Sequence, residues 1–497
     1  MQIAFTKKTK FVLFLLTAFS SVNNQSLGAE YPLTFSPCEL STMDGRGSID
    51  ADCASWSQPL NPENTKSRTL ELFVAKLKST SPNPLTDPLL IINGGPGGSS
   101  IDLLVELAGL NLFRKILNKR DIIALDQRGT GRSSPLHCDE LVDNQLQIEN
   151  KDVKLLTKKC LAELDFDPKY FSTAAAIKDI EALKAQQGYS ALNMYGVSYG
   201  TRVAVEYARL SPNSVRSLIL DGVVPPTMAL GPDVAINSQR ALDKVFAQCE
   251  AAPPCKKAFP DLQNQFKQLT KTLKQKPILT EIRNPKSGEI TELKLEYEHL
   301  ALVVRMSLYN PEMRSLLPLL IHRAAFANDF AGIAANASQL LNQVTQSISN
   351  GMHNAVVCTE DVPFSLAEEG LIFDSKSTYM GDEFYQGLID ICSVWPEGVS
   401  NKNIKQPFFS TIPSLILSGE FDPVTPPAYG ALLAKTLKNS THLIGKGQGH
   451  GLITRGCIPE IISDFILNPE QIEKLDTECI KHIQPVPFFV NSFGPEP

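Results

Sequence analysis

The chain has 497 residues, which is long enough for a large core and for more than one domain. Hydrophobic residues make up 43% and charged residues 20%, as is typical of a globular protein. The formal net charge is −6 and no Lys/Arg block occurs, so nucleic acid is not an expected partner.

The N-terminus has the pattern of a cleaved export signal. Basic residues at positions 7, 8 and 10 precede the short apolar run "FVLFLLTAFSSV" at 11–22, and small residues follow up to Ala29. A run of this length is too short to span a bilayer as a helix, which needs about twenty residues. We therefore expect residues 1–29 to be removed on export, with no stable membrane insertion, and the mature chain to be periplasmic or extracellular.

Short apolar runs along the chain predict buried strands. They lie at 70–77, 88–94, 121–127, 191–197, 215–222, 414–422 and 441–447. Helical patterns occur between them, at 173–188, 201–212 and 428–439. Apolar strands that alternate with helices are typical of a mostly parallel sheet covered on both faces. The predicted fold class is therefore α/β.

The alternation of strands and helices stops in the middle of the chain. Between residues 231 and 405 helix-like stretches dominate, and the strand pattern resumes afterwards. The sequence therefore predicts an inserted, mostly helical cap. The sheet domain would then be split into a first part at 30–230 and a second part at 406–497.

The ten cysteines all follow the export signal, and an even number suits disulfides in an oxidising compartment. No C-x-x-C or H-x-x-x-H cluster occurs, so we expect no metal and no other cofactor. Sequence does not determine the connectivity. We expect bridges between neighbours in the chain, namely Cys38–Cys53, Cys138–Cys160, Cys249–Cys255, Cys358–Cys392 and Cys457–Cys479.

The stretch "YGVSYG" at 195–200 places Ser198 between a predicted strand and a predicted helix. A serine on such a sharp turn exposes its hydroxyl, and small residues such as Gly196 and Gly200 suit the crowding around it. The alternative is an ordinary serine in a glycine-rich turn. The context favours a nucleophile, which needs a base to accept its proton.

The candidate base is a histidine in a glycine-rich loop. His450 follows the last predicted strand in "GKGQGHG", whereas its rival, His442, falls inside that strand. A short loop of glycines can bring an imidazole close to another part of the backbone. His450 is therefore the favoured base.

The imidazole needs a carboxylate that orients it and stabilises its charged form. Asp422 ends a predicted strand and is followed by the proline turn "PVTPP". Asp221, at the end of another strand, and Glu420 are alternatives. The favoured order along the chain, Ser198, Asp422, His450, is the one typical of the α/β-hydrolase class.

Acyl transfer also needs N–H groups that stabilise the negative oxygen of the tetrahedral intermediate. Tyr199, directly after the serine, is expected to supply one. Gly94 or Gly95 in the loop "NGGPGGSS" at 93–100 is expected to supply the other. A phosphate-binding loop is the competing interpretation, but the Lys-Ser/Thr pair of such loops is missing.

Five segments together resemble the prolyl-aminopeptidase and tripeptidyl-aminopeptidase branch of the α/β-hydrolases. They are "NGGPGGSS", "DQRGTGRSS", "YGVSYGT", "SGEFDPVTP" and "GQGHG", and the similarity covers about residues 35–485. The part with Asp422 and His450 resembles the TAP-like C-terminal region of secreted members. The resemblance implies an α/β-hydrolase fold with a cap, a Ser-His-Asp triad, and removal of N-terminal residues or short peptides.

The resemblance has one departure and two further implications. Prolyl aminopeptidases usually have histidine where this chain has Asn93, which favours the tripeptidyl branch. Asp126 and Arg128 are expected to form a buried structural charge pair. Glu360 and Asp361, adjacent in "CTEDVPF", are candidates to bind the ammonium group of small peptides with a free N-terminus; the alternative is a solvated acidic loop.

Two other functions compete with an aminopeptidase. The same triad could serve a carboxylesterase or another small-molecule hydrolase. A non-catalytic binding protein on a hydrolase scaffold is the third possibility, although all three candidate triad residues are present. The sequence leaves the oligomeric state open.

Overall fold

A computed structural model describes residues 33–41, 47–109, 113–138, 152–283, 288–366 and 369–495. The predicted export signal at 1–29 lies outside these ranges. Within them, no helix is both long and apolar enough to cross a bilayer.

The fold is organised by a nine-stranded mixed sheet with the order β1-β2-β3-β5-β4-β6-β7-β10-β11. In this order, the three neighbouring pairs β1-β2, β2-β3 and β3-β5 are antiparallel. The five remaining pairs, from β5-β4 to β10-β11, are parallel. The described strands are β1 (Ser36–Ser41), β2 (Ser48–Pro59), β3 (Thr69–Leu77), β4 (Leu89–Ile92), β5 (Ile122–Leu125), β6 (Leu192–Val197), β7 (Val215–Asp221), β8 (Ile278–Arg283), β9 (Ile290–Leu295), β10 (Ser414–Gly419) and β11 (Ser440–Gly445).

Helices cover the sheet and fill the long connection between β7 and β10. They are α1 (Ser100–Gly109), α2 (Arg114–Leu117), α3 (Val153–Glu163), α4 (Thr173–Gln186), α5 (Tyr199–Leu210), α6 (Asp233–Ala251), α7 (Pro253–Ala258), α8 (Leu262–Gln275), α9 (Tyr297–Tyr309), α10 (Pro311–Ala327), α11 (Ala331–Ser347), α12 (Asn350–Glu360), α13 (Val362–Ser365), α14 (Glu369–Ser375), α15 (Glu383–Cys392), α16 (Pro427–Ala434) and α17 (Ile458–Leu467).

Strand β4 shows why the central runs are apolar without interruption. Successive side chains of a strand point to opposite faces of the sheet. Leu90 and Ile92 enter the apolar core on one face, and Leu89 and Ile91 enter the core on the other. Both faces are covered, so every position must be apolar. The predicted α/β class, with a mostly parallel sheet flanked by helices, is confirmed.

The connection between β7 and β10 contributes no described strand to the large sheet. It contains α6 to α15 and has a separate apolar core that includes Leu242, Val245 and Val304. It also contains the antiparallel hairpin β8–β9, which was not predicted. Exposed and half-buried residues alternate along β8, so the hairpin gave no continuous apolar run to detect. The domain boundaries at 231 and 405 remain predictions.

Each of the five predicted cysteine pairs is at disulfide distance in the structure, which leaves no free cysteine. The pair Cys358–Cys392 has the longest separation, 34 residues, and joins α12 to α15. A disulfide that closes such a loop stabilises the fold by about 2–4 kcal/mol, mainly by restricting the unfolded chain.

Candidate active site

Ser198 lies at the sharp turn from β6 into α5. Its backbone has φ 56° and ψ −125°, a conformation that non-glycine residues rarely adopt. The turn is held because the N–H of Ser198 donates to the carbonyl of Asp221 at 2.9 Å. The carbonyl of Ser198 in turn accepts the Thr201 hydroxyl at 2.6 Å. These contacts fix the serine at the carboxyl edge of the parallel strands.

The glycines around Ser198 are required by close contacts of the backbone. A Cβ on Gly196 would lie 2.4 Å from the carbonyl oxygen of Gly200. A Cβ on Gly200 would lie 2.4 Å from the carbonyl oxygen of Ile92. Both distances are far below a normal contact, so these two positions admit no side chain without movement of the backbone.

His450 and Asp422 form a hydrogen-bonded pair. The Nδ1 of His450 lies 2.7 Å from the Oδ2 of Asp422. Asp422 is buried, and its Oδ1 accepts the N–H groups of Val424 and Thr425 at 2.9 and 2.8 Å. The turn after β10 therefore holds the carboxylate in place, and the carboxylate orients the imidazole.

Thr425 is a further member of this pair that the sequence did not single out. Its hydroxyl donates to Oδ2 of Asp422 at 2.7 Å and lies 3.1 Å from Nδ1 of His450. The one sequence signal that could have identified it is its position three residues after the acid, in "DPVT". With Nδ1 engaged by these two groups, Nε2 is the imidazole nitrogen left to meet a serine hydroxyl.

The adjacent residues Asp221 and Gly222 contact Ser198 and His450, respectively. The carbonyl of Asp221 holds the N–H of Ser198, as described above. A Cβ on Gly222 would lie 3.0 Å from Cε1 of His450, so this backbone is in contact with the imidazole. One short segment thus contacts both the serine and the imidazole of the His450–Asp422 pair.

The alternatives to the favoured acid and base have other contacts. The carboxylate of Asp221 accepts the N–H groups of Leu452 and Ile453 and the Tyr195 hydroxyl. Glu420 accepts the N–H of Gly447 at 2.7 Å. The Nε2 of His442 lies 2.9 Å from the Ser418 hydroxyl. In the structure, Asp422 is the one of these three carboxylates that is bonded to His450.

Tyr309, the last residue of α9, also contacts the histidine. Its carbonyl accepts the N–H of His450 at 2.8 Å, and its ring packs edge-on against the imidazole with 5.0 Å between centroids. The segment between β7 and β10 therefore touches the site directly. No feature of the sequence signalled this contact, because it joins residues that are far apart in the chain.

A cavity of about 60 Å³ opens beside Ser198. Gly95, Tyr199 and Thr425 line it together with the serine. Tyr199 is the first residue of α5, where an N–H has no partner within the helix. Among the hydrogen bonds of the described residues, none uses the N–H of Gly95. Both N–H groups are therefore without a partner among the described residues and belong to residues that line the cavity.

Gly94, the other candidate in the glycine loop, has a different environment. Its N–H donates to Oδ1 of Asn93 at 2.7 Å, and Nδ2 of Asn93 donates to the carbonyl of Ser99 at 2.7 Å. The side chain of Asn93 thus stabilises the loop through hydrogen bonds to two other residues of the same loop. A Cβ on Gly94 would lie 2.7 Å from Cβ of Ser198, so the backbone of Gly94 passes directly against the serine.

The two adjacent carboxylates predicted to bind an ammonium group have separate partners. Glu360 is buried and accepts the N–H and the hydroxyl of Thr173 at 2.8 and 2.6 Å. Asp361 lines the cavity and forms two hydrogen bonds with the guanidinium of Arg202, at 2.7 and 3.0 Å, and one with Lys405 at 2.9 Å. Their predicted role remains untested, and these contacts do not favour it.

Asp126 and Arg128 are buried but do not pair with each other, contrary to the expectation from the resemblance. Asp126 accepts the Ser99 hydroxyl at 2.8 Å and the N–H of Ile101 at 3.0 Å, at the start of α1. Arg128 instead forms two hydrogen bonds with Asp179 of α4, at 2.7 and 2.8 Å. The fold brings α4 within reach of the guanidinium, which sequence neighbours alone did not indicate.

The surroundings of His450 act on its pKa in opposite directions. Burial alone would lower the pKa, but the charge and the hydrogen bond of Asp422 outweigh burial and raise it above the ordinary value of 6.5. For Asp221, burial raises the pKa to about 6, against the hydrogen bonds that it accepts. The Asp422 carboxylate is thus placed to stabilise a positive charge on the imidazole.

Comparisons with known proteins identify the family of the chain. Serine protease Hip1 of Mycobacterium tuberculosis is 24% identical, over 88% of this chain and 89% of that protein. A tripeptidyl aminopeptidase of Streptomyces lividans is 22% identical, over 88% and 84%. Carboxylesterase B of Mycobacterium tuberculosis is 23% identical, over 84% of both chains. The model of the alpha/beta hydrolase fold matches residues 87–454, and the chain belongs to that family of hydrolases.

Proposed function

We propose that the protein is an exported serine peptidase that removes N-terminal residues or short peptides from small peptides. The observation that carries the proposal is Ser198 in its strained turn at a cavity, with the segment Asp221–Gly222 in contact with both the serine and the hydrogen-bonded pair of His450 and Asp422. A serine, a base and an orienting acid are the groups that acyl transfer requires.

In the first half of the reaction, Oγ of Ser198 attacks the carbonyl carbon of the scissile bond while Nε2 of His450 accepts the hydroxyl proton. The negative oxygen of the tetrahedral intermediate is stabilised by the N–H groups of Gly95 and Tyr199. Each such donor contributes about 3 kcal/mol of transition-state stabilisation. The C–N bond then breaks, His450 returns the proton to the leaving amine, and an acyl ester of Ser198 remains.

In the second half, a water molecule replaces the amine. His450 accepts one proton of the water while its oxygen attacks the acyl carbon, and the same two N–H groups stabilise the oxyanion. Collapse breaks the ester bond, and His450 gives the proton back to Ser198. The enzyme is regenerated, and the peptide bond has been exchanged for a carboxylic acid and an amine.

The choice of peptides as substrates is supported by two of the relatives. One is named a serine protease and the other a tripeptidyl aminopeptidase, and each aligns over most of both chains. The bracing of the glycine loop by Asn93, where prolyl aminopeptidases have histidine, fits the tripeptidyl branch. Export is supported by the pairing of all ten cysteines, since disulfides persist in oxidising compartments.

A carboxylesterase is the second candidate, since a relative with that name aligns over 84% of this chain. The same serine, histidine and aspartate would hydrolyse an ester by the same two steps. Esters are also the easier substrates for such a triad. Activity toward an ester therefore does not exclude a peptidase, whereas a lack of activity toward every amide would.

The test is hydrolysis of a panel by the purified mature chain. The panel contains Pro-, Ala- and Ala-Ala-Pro-anilides with free amines, the same compounds with blocked amines, and a short-chain nitrophenyl ester. Cleavage of the anilides that is lost on blocking supports the peptidase. Ester hydrolysis without any anilide cleavage overturns it and leaves the carboxylesterase.

Two serine variants make the panel specific for the proposed site. Ser198→Ala should lower turnover on the order of 10⁶-fold on every substrate that the wild type cleaves. Ser190→Ala, an exposed serine that is bonded to Thr86, should leave turnover unchanged. Equal activity of the two variants would show that the hydrolysis does not depend on Ser198.

A further inference from the structure

Two carboxylates line the cavity beside Ser198, and their surroundings differ. They are Asp361 and Asp233. Burial opposes ionisation of Asp361, but the charges of Arg202 and Lys405 outweigh burial and hold its pKa well below the ordinary 3.8. Asp361 also accepts the N–H of Leu230 at 3.0 Å. It therefore neutralises two cations of the protein and anchors the loop that forms one wall.

Asp233 has no such cationic partners in the ranges that the structure describes. In the part of the chain that the structure describes, the hydrogen bond to its carboxylate from another side chain comes from the Tyr429 hydroxyl, at 3.1 Å. The charge of Arg240, two turns along α6, acts on Asp233, and the guanidinium of Arg240 donates a hydrogen bond to Asn237. Among the described residues, no ion pair therefore compensates the negative charge of Asp233.

Two opposing effects act on the charge of Asp233. The side chain is half-buried, and burial raises its pKa above the ordinary value. Asp233 is also the first residue of α6, where the helix dipole stabilises a negative charge. A carboxylate in such a place loses hydration that a cationic ligand would replace with a charge-assisted hydrogen bond.

The rest of the cavity wall is largely apolar. Pro96, Met228, Leu230, Val234 and Val424 supply apolar surface around Asp233 and Ser198. Apolar walls reduce the screening of a charge pair by water, so an ammonium group would interact with Asp233 more strongly there than in solvent.

The carboxylate is also connected to the catalytic side of the cavity. Tyr429, which bonds to Asp233, lies on α16, and Thr425, which bonds to Asp422, lies directly before that helix. The Tyr429 hydroxyl is itself held by Nδ2 of Asn237 at 3.0 Å. The hydrogen bond with Tyr429 therefore holds Asp233 against α16, the helix that follows Thr425.

We propose that Asp233, rather than Glu360 or Asp361, binds the N-terminal ammonium group of the peptide substrate. This inference rests on the proposed peptidase function and specifies the group that would make it an aminopeptidase. The substrate then lies with its N-terminus at Asp233, its first side chains on the apolar wall, and its scissile carbonyl at Ser198.

The experiment compares free and blocked substrates in matched variants. The readout is the ratio of kcat/KM for Ala-Ala-Pro-anilide to kcat/KM for its N-acetylated form. Asp233→Asn should lower this ratio on the order of 10²-fold, chiefly through KM of the free amine. Asp243→Asn, an exposed carboxylate further along α6, should keep the wild-type ratio. Thermal melting of each variant shows that it is folded.

A charge reversal gives a second, independent readout. Asp233→Lys should favour a succinylated anilide, whose terminal group is negative, over the free amine, in the opposite order to the wild type. If both Asp233 variants keep the wild-type preference for the free amine, Asp233 is not the ammonium site and this inference is overturned.

The proposed peptidase function can fail separately. A wild-type enzyme that cleaves the nitrophenyl ester through Ser198 but no anilide would overturn the peptidase function, and with it the role of Asp233. A wild type that cleaves free-amine and blocked anilides equally well would leave a serine peptidase in place and overturn the ammonium site alone.

Discussion

The carboxylate of Asp221 accepts the backbone N–H of Leu452 with both of its oxygens, at 2.9 and 2.8 Å, across 231 residues of sequence. One of these oxygens also accepts the N–H of Ile453 at 3.0 Å. Leu452 follows His450 by two residues, so the end of β7 fixes the loop that carries the histidine. A carboxylate that the sequence offered as an alternative triad acid is thus placed as a support for the base.

Replacing Asp221 should impair catalysis because the loop that carries His450 loses its support. In Asp221→Asn, one acceptor oxygen becomes an NH₂ group that faces backbone N–H donors, which leaves buried groups unpaired at a cost of about 1–3 kcal/mol. We expect a lower melting temperature and a lower kcat on the nitrophenyl ester, with a smaller effect on KM. The exposed Asp464→Asn, which loses only a surface ion pair with Lys115, is the control. Unchanged kcat and melting temperature in Asp221→Asn would contradict the supporting role.

The pH dependence of hydrolysis should follow the ionisation of the His450 imidazole. His450 accepts a proton only when it is neutral, and the charge of Asp422 raises its pKa above 6.5 in spite of burial. With a nitrophenyl ester, which has no amine to titrate, kcat/KM should therefore fall as the pH decreases through a midpoint above 6.5. A midpoint at or below 6.5 would contradict this expectation, because it would show that Asp422 does not outweigh the effect of burial.

The two carboxylates at the end of β10 should differ sharply on substitution. Asp422→Asn removes the charge that orients His450, and comparable losses in kcat are on the order of 10⁴-fold. Glu420→Gln should keep most of the activity, because an amide oxygen can still accept the N–H of Gly447. The measurement is kcat for both variants on the same ester. Similar losses in the two would contradict the assignment of Asp422.

The loop at Gly94 should not tolerate a methyl group. In Gly94→Ala the new Cβ would lie 2.7 Å from Cβ of Ser198, so the loop or the serine must move. Displacing one oxyanion donor costs about 10²–10³ in kcat. In Gly387→Ala the new Cβ, on α15, meets no atom within 4 Å, and this variant should be as active as the wild type and slightly more stable. A Gly94→Ala enzyme with full kcat would contradict the close packing at the serine.

The sheet and the core of the candidate site could be predicted because their signals are local. Strand β4 has only apolar residues, since both of its faces are covered. Ser198 and His450 each follow a predicted strand within a few residues and Asp422 ends one, close to glycines or prolines. Parallel strands bring their carboxyl ends to one edge of a sheet, so the order of strands along the chain was enough to group these three residues.

Other parts could not be predicted, because they depend on which distant residues meet. The partner of Arg128 is Asp179, on a helix that only the fold brings near. Tyr309 reaches His450 from the long connection between β7 and β10, and nothing in its neighbourhood indicates a role. "CTEDVPF" suggested two available carboxylates, whereas Arg202, Lys405 and Thr173 engage both of them. No sequence motif marked Asp233 as a candidate.

The most direct test of the account is covalent labelling of Ser198. The mature chain is incubated with an alkyl fluorophosphonate, which reacts with activated serines, and the modified peptide is identified by mass spectrometry. We predict one label per chain, on Ser198, with labelling reduced in Asp422→Asn and absent in Ser198→Ala. Labelling of a different serine, or none in a protein that still hydrolyses the ester, would contradict the assignment of Ser198 as the nucleophile.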